Sequence, residues 1–162
     1  SEDFSAKDTE TFFSAAYKSL PTDASKPLYL VTAGSPVVAN GTLTLEGSRF
    51  TIGALDVTPT TAGSTPGGTL DLSKPYKISF KVLEVKGNPG KKLQVYVDNN
   101  TTGMANSPHG GASRLYSTEL SAIAAGSTVE IQGAVGTANS FIQIRTESEA
   151  IVVIDDLVIE NI

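Results

Sequence analysis

The sequence predicts an all-β protein, an antiparallel two-sheet β-sandwich of jelly-roll type. Three observations carry that reading. Turn signals recur roughly every 8–15 residues and separate about ten short apolar or alternating runs. Charged residues make up only 18% of the 162 residues, while Thr, Ser, Gly and Asn are abundant, a mix that favours strands and turns. No segment sustains the 3.6-residue period of a long helix.

The elements follow in order. Thr9–Tyr17 reads as a short strand or a single helical turn, punctuated by Pro21 and Pro27. Leu28-Tyr29-Leu30-Val31-Thr32 is an apolar strand ended by Ala33-Gly34-Ser35-Pro36. Asn40-Gly41, between Val37-Val38 and the alternating Thr42-Leu43-Thr44-Leu45, is the strongest hairpin signal. Arg49–Gly53 is a further short strand, and residues 56–68 form a long Thr/Gly/Pro-rich loop. In Tyr76–Leu83, Tyr76, Ile78, Phe80 and Val82 face inward while Lys77, Ser79 and Lys81 face outward. Gly87-Asn88-Pro89-Gly90 turns the chain into Lys92–Asp98, with Leu93, Val95 and Val97 inward. A second long loop, 99–111, precedes the strand Ser113–Ser117, and Glu119–Ala125 suits one helical turn. Thr128–Ile131 and Ser140–Thr146 are strands, and Ala150–Glu160 is apolar on both faces, as a central strand of a sandwich is. The expectation is one domain over residues 1–162, with 1–11 an irregular N-terminal segment.

Composition excludes several chemistries. Cysteine is absent and His109 is the only histidine, so disulfides, thiolate zinc sites, cysteine nucleophiles and multi-histidine metal centres are all ruled out. The net charge of −5 disfavours phosphate backbones, so no nucleic-acid partner is expected. No apolar run approaches the length of a membrane helix, so no membrane partner is expected either. The start, Ser1-Glu2-Asp3-Phe4, carries no signal peptide, consistent with numbering that begins after a leader or at a boundary. The composition nonetheless suits a secreted, extracellular bacterial module acting as a monomer.

Charge is unevenly distributed. Lys74, Lys77, Lys81, Lys86, Lys91 and Lys92 fall in one window whose only acid is Glu84. If the two alternating strands are neighbours, Lys77, Ser79 and Lys81 lie beside Lys92, Gln94 and Tyr96 on one outward face. Gln143 and Arg145 add to it from another strand, and Arg114 and Tyr116 join if their strand lies alongside. Such a face suits a ligand bearing both hydroxyls and carboxylates: cations make charge-assisted bonds to carboxylates, and tyrosine offers a flat surface to a sugar. The competing reading is a solvated sheet face whose lysines block edge aggregation.

Asp155-Asp156 interrupts an apolar strand, where a bare carboxylate is costly. The pair points to a structural calcium ion, with Glu2 and Asp3 as further ligands if the chain ends meet. Otherwise one aspartate faces solvent and the other accepts backbone hydrogen bonds. His109 sits in a loop without the partners of a catalytic histidine, and no serine lies in a Gly-x-Ser-x-Gly elbow. Few aromatics and no tryptophan disfavour a sugar-cleaving cleft. Catalytic residues are therefore not expected.

Pro27-Leu28-Tyr29, Asn40-Gly41, Arg49–Gly53, Val95–Thr102, Ala112–Tyr116, Ser140–Ser148 and Ile154–Ile159 together resemble non-catalytic modules attached to secreted bacterial pectate lyases. The resemblance implies a carbohydrate-binding module that holds an appended catalytic domain near pectic polymer of the polygalacturonate type, with a structural calcium near Asp155-Asp156. The absence of tryptophan departs from the flat platforms of cellulose binders. The alternatives are a structural spacer or interaction domain of a multi-domain secreted enzyme, with scattered lysines and no sugar site, and an enzyme in its own right.

Overall fold

The computed structural model describes residues 28–53, 72–98, 112–133, 136 and 140–162. Its strands are β1 (Leu28–Ala33), β2 (Val37–Ala39), β3 (Thr42–Glu46), β4 (Arg49–Gly53), β5 (Tyr76–Gly87), β6 (Lys92–Asp98), β7 (Ala112–Glu119), β8 (Thr128–Gly133), β9 (Phe141–Thr146) and β10 (Ala150–Asn161). They form two antiparallel five-stranded sheets: sheet A in the order β1-β4-β9-β6-β7 and sheet B in the order β2-β3-β10-β5-β8. The chain crosses repeatedly from one sheet to the other, as in a jelly roll.

The predicted alternation holds. Tyr76, Ile78, Phe80 and Val82 of β5 and Leu93, Val95 and Val97 of β6 are all fully buried. They meet in one core with Phe50, Ile142 and Ile144 from sheet A and Leu43, Leu45, Val152 and Ile154 from sheet B. Each such side chain contributes about 1.5–3 kcal/mol by leaving water. β10 is central in sheet B, flanked by β3 and β5, which explains its apolar residues on both faces.

Asn40 and Gly41 have positive φ (54° and 74°), as a type I′ turn requires, and Ala39 pairs with Thr42 across it. The expected helical turn is a short 3-10 turn at Leu120–Ala122. Gly133 lies opposite Tyr76, and a Cβ there would collide with the buried Tyr76 ring.

One connection departs from expectation. β5 and β6 are joined by a tight turn, in which Asn88 Oδ1 accepts the Gly90 N–H (3.0 Å) and the Asn88 carbonyl accepts the Lys91 N–H (3.1 Å). They are nevertheless not a hairpin. β5 pairs with β10 and β8, and β6 with β9 and β7, so the turn carries the chain between sheets. Residues 9–17, 56–68 and 99–111, which include His109, and the proposed ligands Glu2 and Asp3 lie outside the described residues.

Candidate functional site

The outer face of sheet A follows from strand parity. Phe50, Ile142, Ile144, Leu93, Val95 and Val97 point into the core, so Arg49, Gln143, Arg145, Lys92, Gln94 and Tyr96 point away from it. Register aligns them in rows. Arg49 of β4 is opposite Arg145 of β9, which is opposite Gln94 of β6, which is opposite Ser117 of β7. The adjacent row holds Gln143, Tyr96 and Arg114. From β4 to β7 the rows cross three strand spacings, about 14 Å.

Hydrogen bonds fix part of this surface. Tyr96 Oη donates to Gln94 Oε1 (3.2 Å), and Gln94 Nε2 donates to Ser117 Oγ (3.1 Å). A tyrosine hydroxyl reaches a side chain two residues earlier on its own strand only if the ring leans along the strand. Tyr96 therefore lies over the sheet instead of standing upright from it. Gln94 and Gln143 are 5% and 0% exposed although they point away from the core, so this is no plain solvated surface. Gln143 is engaged as well, and its Oε1 retains acceptor capacity.

Of the residues singled out from sequence, Lys92, Gln94, Tyr96, Arg114, Gln143 and Arg145 share this face. Lys92 sits at its margin, opposite the exposed Glu119, and its backbone N–H donates to Glu147 Oε1 (2.8 Å). Lys77 and Lys81 do not join them. Both lie on the outer face of sheet B, because β5 belongs to the other sheet. There Lys77 Nζ pairs with Glu160 (3.3 Å), and Lys81 lies opposite Asp155.

Tyr116 is also misplaced by the sequence pattern. The β6–β7 register shifts between Val95 and Tyr96, so Arg114 opposes Tyr96 but Tyr116 opposes Val95. This bulge at Leu115 turns Tyr116 inward, where it packs partly buried against the core. Arg49 and Ser117 were not singled out, although the Arg49-Phe50-Thr51-Ile52 alternation already placed Arg49 on the polar side of its strand.

All three arginines of the chain, Arg49, Arg114 and Arg145, thus stand on one face of one sheet. Solved structures to which the chain is similar include carbohydrate-binding modules. A family 29 carbohydrate-binding module matches at a TM-score of 0.48 and 10% identity, covering 92% of this chain and 87% of its own. A family 4 module, described under carbohydrate-binding-module structure and function, matches at 0.45 and 14%, covering 99% and 97%. The CBM22-1 xylan-binding domain of Paenibacillus barcinonensis Xyn10C matches at 0.33 and 14%, covering 90% of each chain. No family model and no curated protein matches the chain.

Asp155 and Asp156 sit in an irregularity of β10, between the pairings Asp155–Lys81 and Val158–Ser79. Asp156 is exposed with φ 51°, and its N–H donates to Asp155 Oδ1 (2.8 Å). Asparagine and aspartate tolerate this left-handed conformation better than other side chains do. Among the described residues no three acidic or histidine side chains gather as a metal site, and Glu2 and Asp3 lie outside them.

Proposed function

We propose that the chain is a non-catalytic carbohydrate-binding module whose ligand lies across the outer face of sheet A, and that this ligand is a uronate-bearing polymer of the pectic type. One observation carries the reading: the three arginines of the chain gather on one sheet face, around a tyrosine laid along its strand and two buried amides. Guanidinium is the planar donor that matches a carboxylate in a two-point contact. The buried amides Gln94 and Gln143 brace the face, the half-buried Ser117 hydroxyl serves a sugar hydroxyl, and the Tyr96 ring offers apolar surface to a sugar ring. In this arrangement the module holds an appended polysaccharide-degrading enzyme, secreted with it, near its substrate.

Titration calorimetry against polygalacturonate, highly methylated pectin and a neutral glucan tests the proposal. The expected result is binding to polygalacturonate at Kd ~10⁻⁴–10⁻⁵ M, equivalent to roughly −5.5 to −7 kcal/mol. It falls with methylation and with salt. Absence of binding to all three polymers leaves the spacer reading.

A structural calcium ion held by Asp155, Asp156, Glu2 and Asp3 is a separate proposal, supported by the exposure of Asp156 beside its neighbour's carboxylate. Calcium then raises the melting temperature and Asp156→Asn removes that rise. Identical melts with calcium and with chelator assign the pair to the β10 irregularity alone.

A further inference from the structure

We propose that Gln94 is a positioning residue for the bound sugar: anchored on Ser117 of the neighbouring strand, it holds the Tyr96 ring over sheet A in the pose that a sugar ring meets. The inference rests on the outer face of sheet A being the sugar-binding face.

Gln94 and Tyr96 are two residues apart on β6, so both point outward, about 7 Å apart along the strand. A side chain on a strand ordinarily stands away from the sheet. The Tyr96 hydroxyl is instead drawn to Gln94 Oε1 (3.2 Å), and the other end of the same amide donates to Ser117 Oγ (3.1 Å). One amide therefore ties the ring to β7. At 5% exposure Gln94 offers a ligand little surface of its own, so its effect on binding passes through Tyr96. The core does not require an amide there, because the flanking Leu93 and Val95 do the packing.

The bulge in β7 makes the arrangement possible. Arg114 and Ser117 are three residues apart, and on a regular strand they would point to opposite faces. The register shift sets Arg114 opposite Tyr96 and Ser117 opposite Gln94, which brings both to the outer face. The anchor and the neighbouring arginine thus share one surface.

A ring already fixed in its bound pose loses less freedom on binding than one that swings. Tyr96 makes a further interaction besides this one, so the amide carries part of the restraint. Stacking uses the apolar face of a sugar, so the effect falls on acidic and neutral polymers alike.

The test is titration calorimetry of the intact chain, Gln94→Leu, Tyr96→Phe, their double variant and Tyr96→Ala. The probes are polygalacturonate and its carboxyl-reduced neutral counterpart. Gln94→Leu is expected to weaken binding to both about threefold to fivefold. Tyr96→Phe, which keeps the ring and loses only the hydroxyl, does the same. The double variant loses no more than either single one, because both act through one hydrogen bond. Side-chain coupling constants of labelled Tyr96, read without ligand, report one χ1 rotamer in the native chain and averaging in both single variants. A purely structural role for Gln94 would lower the melting temperature and leave that rotamer fixed.

Native affinity in Gln94→Leu, additive losses in the double variant or an unchanged Tyr96 rotamer overturns the inference. If Gln94→Leu does not fold, Tyr96→Phe decides alone, since it leaves Gln94 in place. If Tyr96→Ala weakens binding while Gln94→Leu and Tyr96→Phe do not, only the positioning role is refuted. If Tyr96→Ala leaves binding unchanged, or the native chain binds neither polymer, the sugar-binding face is refuted with it.

Discussion

On the outer face of sheet B, the cations of β5 stand against carboxylates. Lys77 pairs with Glu160, Lys86 pairs with Glu84 (2.7 Å) and Lys81 lies opposite Asp155. On the outer face of sheet A, Arg145 lies between Arg49 and Gln94, and Arg114 lies opposite Tyr96. The first arrangement neutralises itself within the protein. The second gathers the three arginines of the chain among amides, a hydroxyl and an aromatic ring. A cluster of lysines close together in sequence is therefore less informative than three arginines brought together by the fold.

The sharpest break of this comparison is charge reversal. Arg145→Glu places a carboxylate in the middle of the row and is expected to weaken polygalacturonate binding by more than about 100-fold, since it removes a charge-assisted contact and adds repulsion. Lys81→Glu on sheet B leaves the affinity within about twofold, because exposed charges beyond a Debye length are screened. Parallel calorimetry of the two variants at one salt concentration checks both.

Tyr116→Ala tests the bulge in β7. Tyr116 packs against the core, so truncation costs roughly 1–3 kcal/mol of stability while folded protein keeps its affinity. Urea unfolding alongside calorimetry separates these, and a lost affinity with intact stability would place Tyr116 on the outer face after all. Tyr96→Ala does the reverse. It lowers affinity about tenfold for acidic and neutral polymer alike, with a smaller change in stability. The smallest effect belongs to Lys77→Ala, which breaks a partly exposed ion pair and shifts the unfolding free energy by less than about 1 kcal/mol.

Much of the fold was legible in the sequence because alternation is a local property. The inward sets of β5 and β6, the Asn40-Gly41 turn and the centrality of β10 all follow from side-chain period and turn chemistry. Strand pairing was not legible. The Gly87–Gly90 turn reads as a hairpin link, and nothing within it reveals that β5 takes partners from β10, about 70 residues away in sequence. The same holds for the site: sequence proximity groups Lys77 and Lys81 with β6, whereas the carboxylates opposite them come from the far end of the chain. Tyr116 failed differently. One inserted residue, Leu115, flips the parity of everything after it, and a bulge leaves no mark in an alternating pattern this short. Arg49 had the right parity in view but stood alone until β9 brought Arg145 beside it.

The central claim is that sheet A carries the ligand on its outer face. An amide chemical-shift titration of the labelled chain with oligogalacturonate tests it most directly. The account predicts shifts concentrated at Arg49, Gln94, Tyr96, Arg114, Ser117, Gln143 and Arg145, with Lys77, Lys81 and Lys86 silent. Shifts centred on β5 and β10 instead would contradict it.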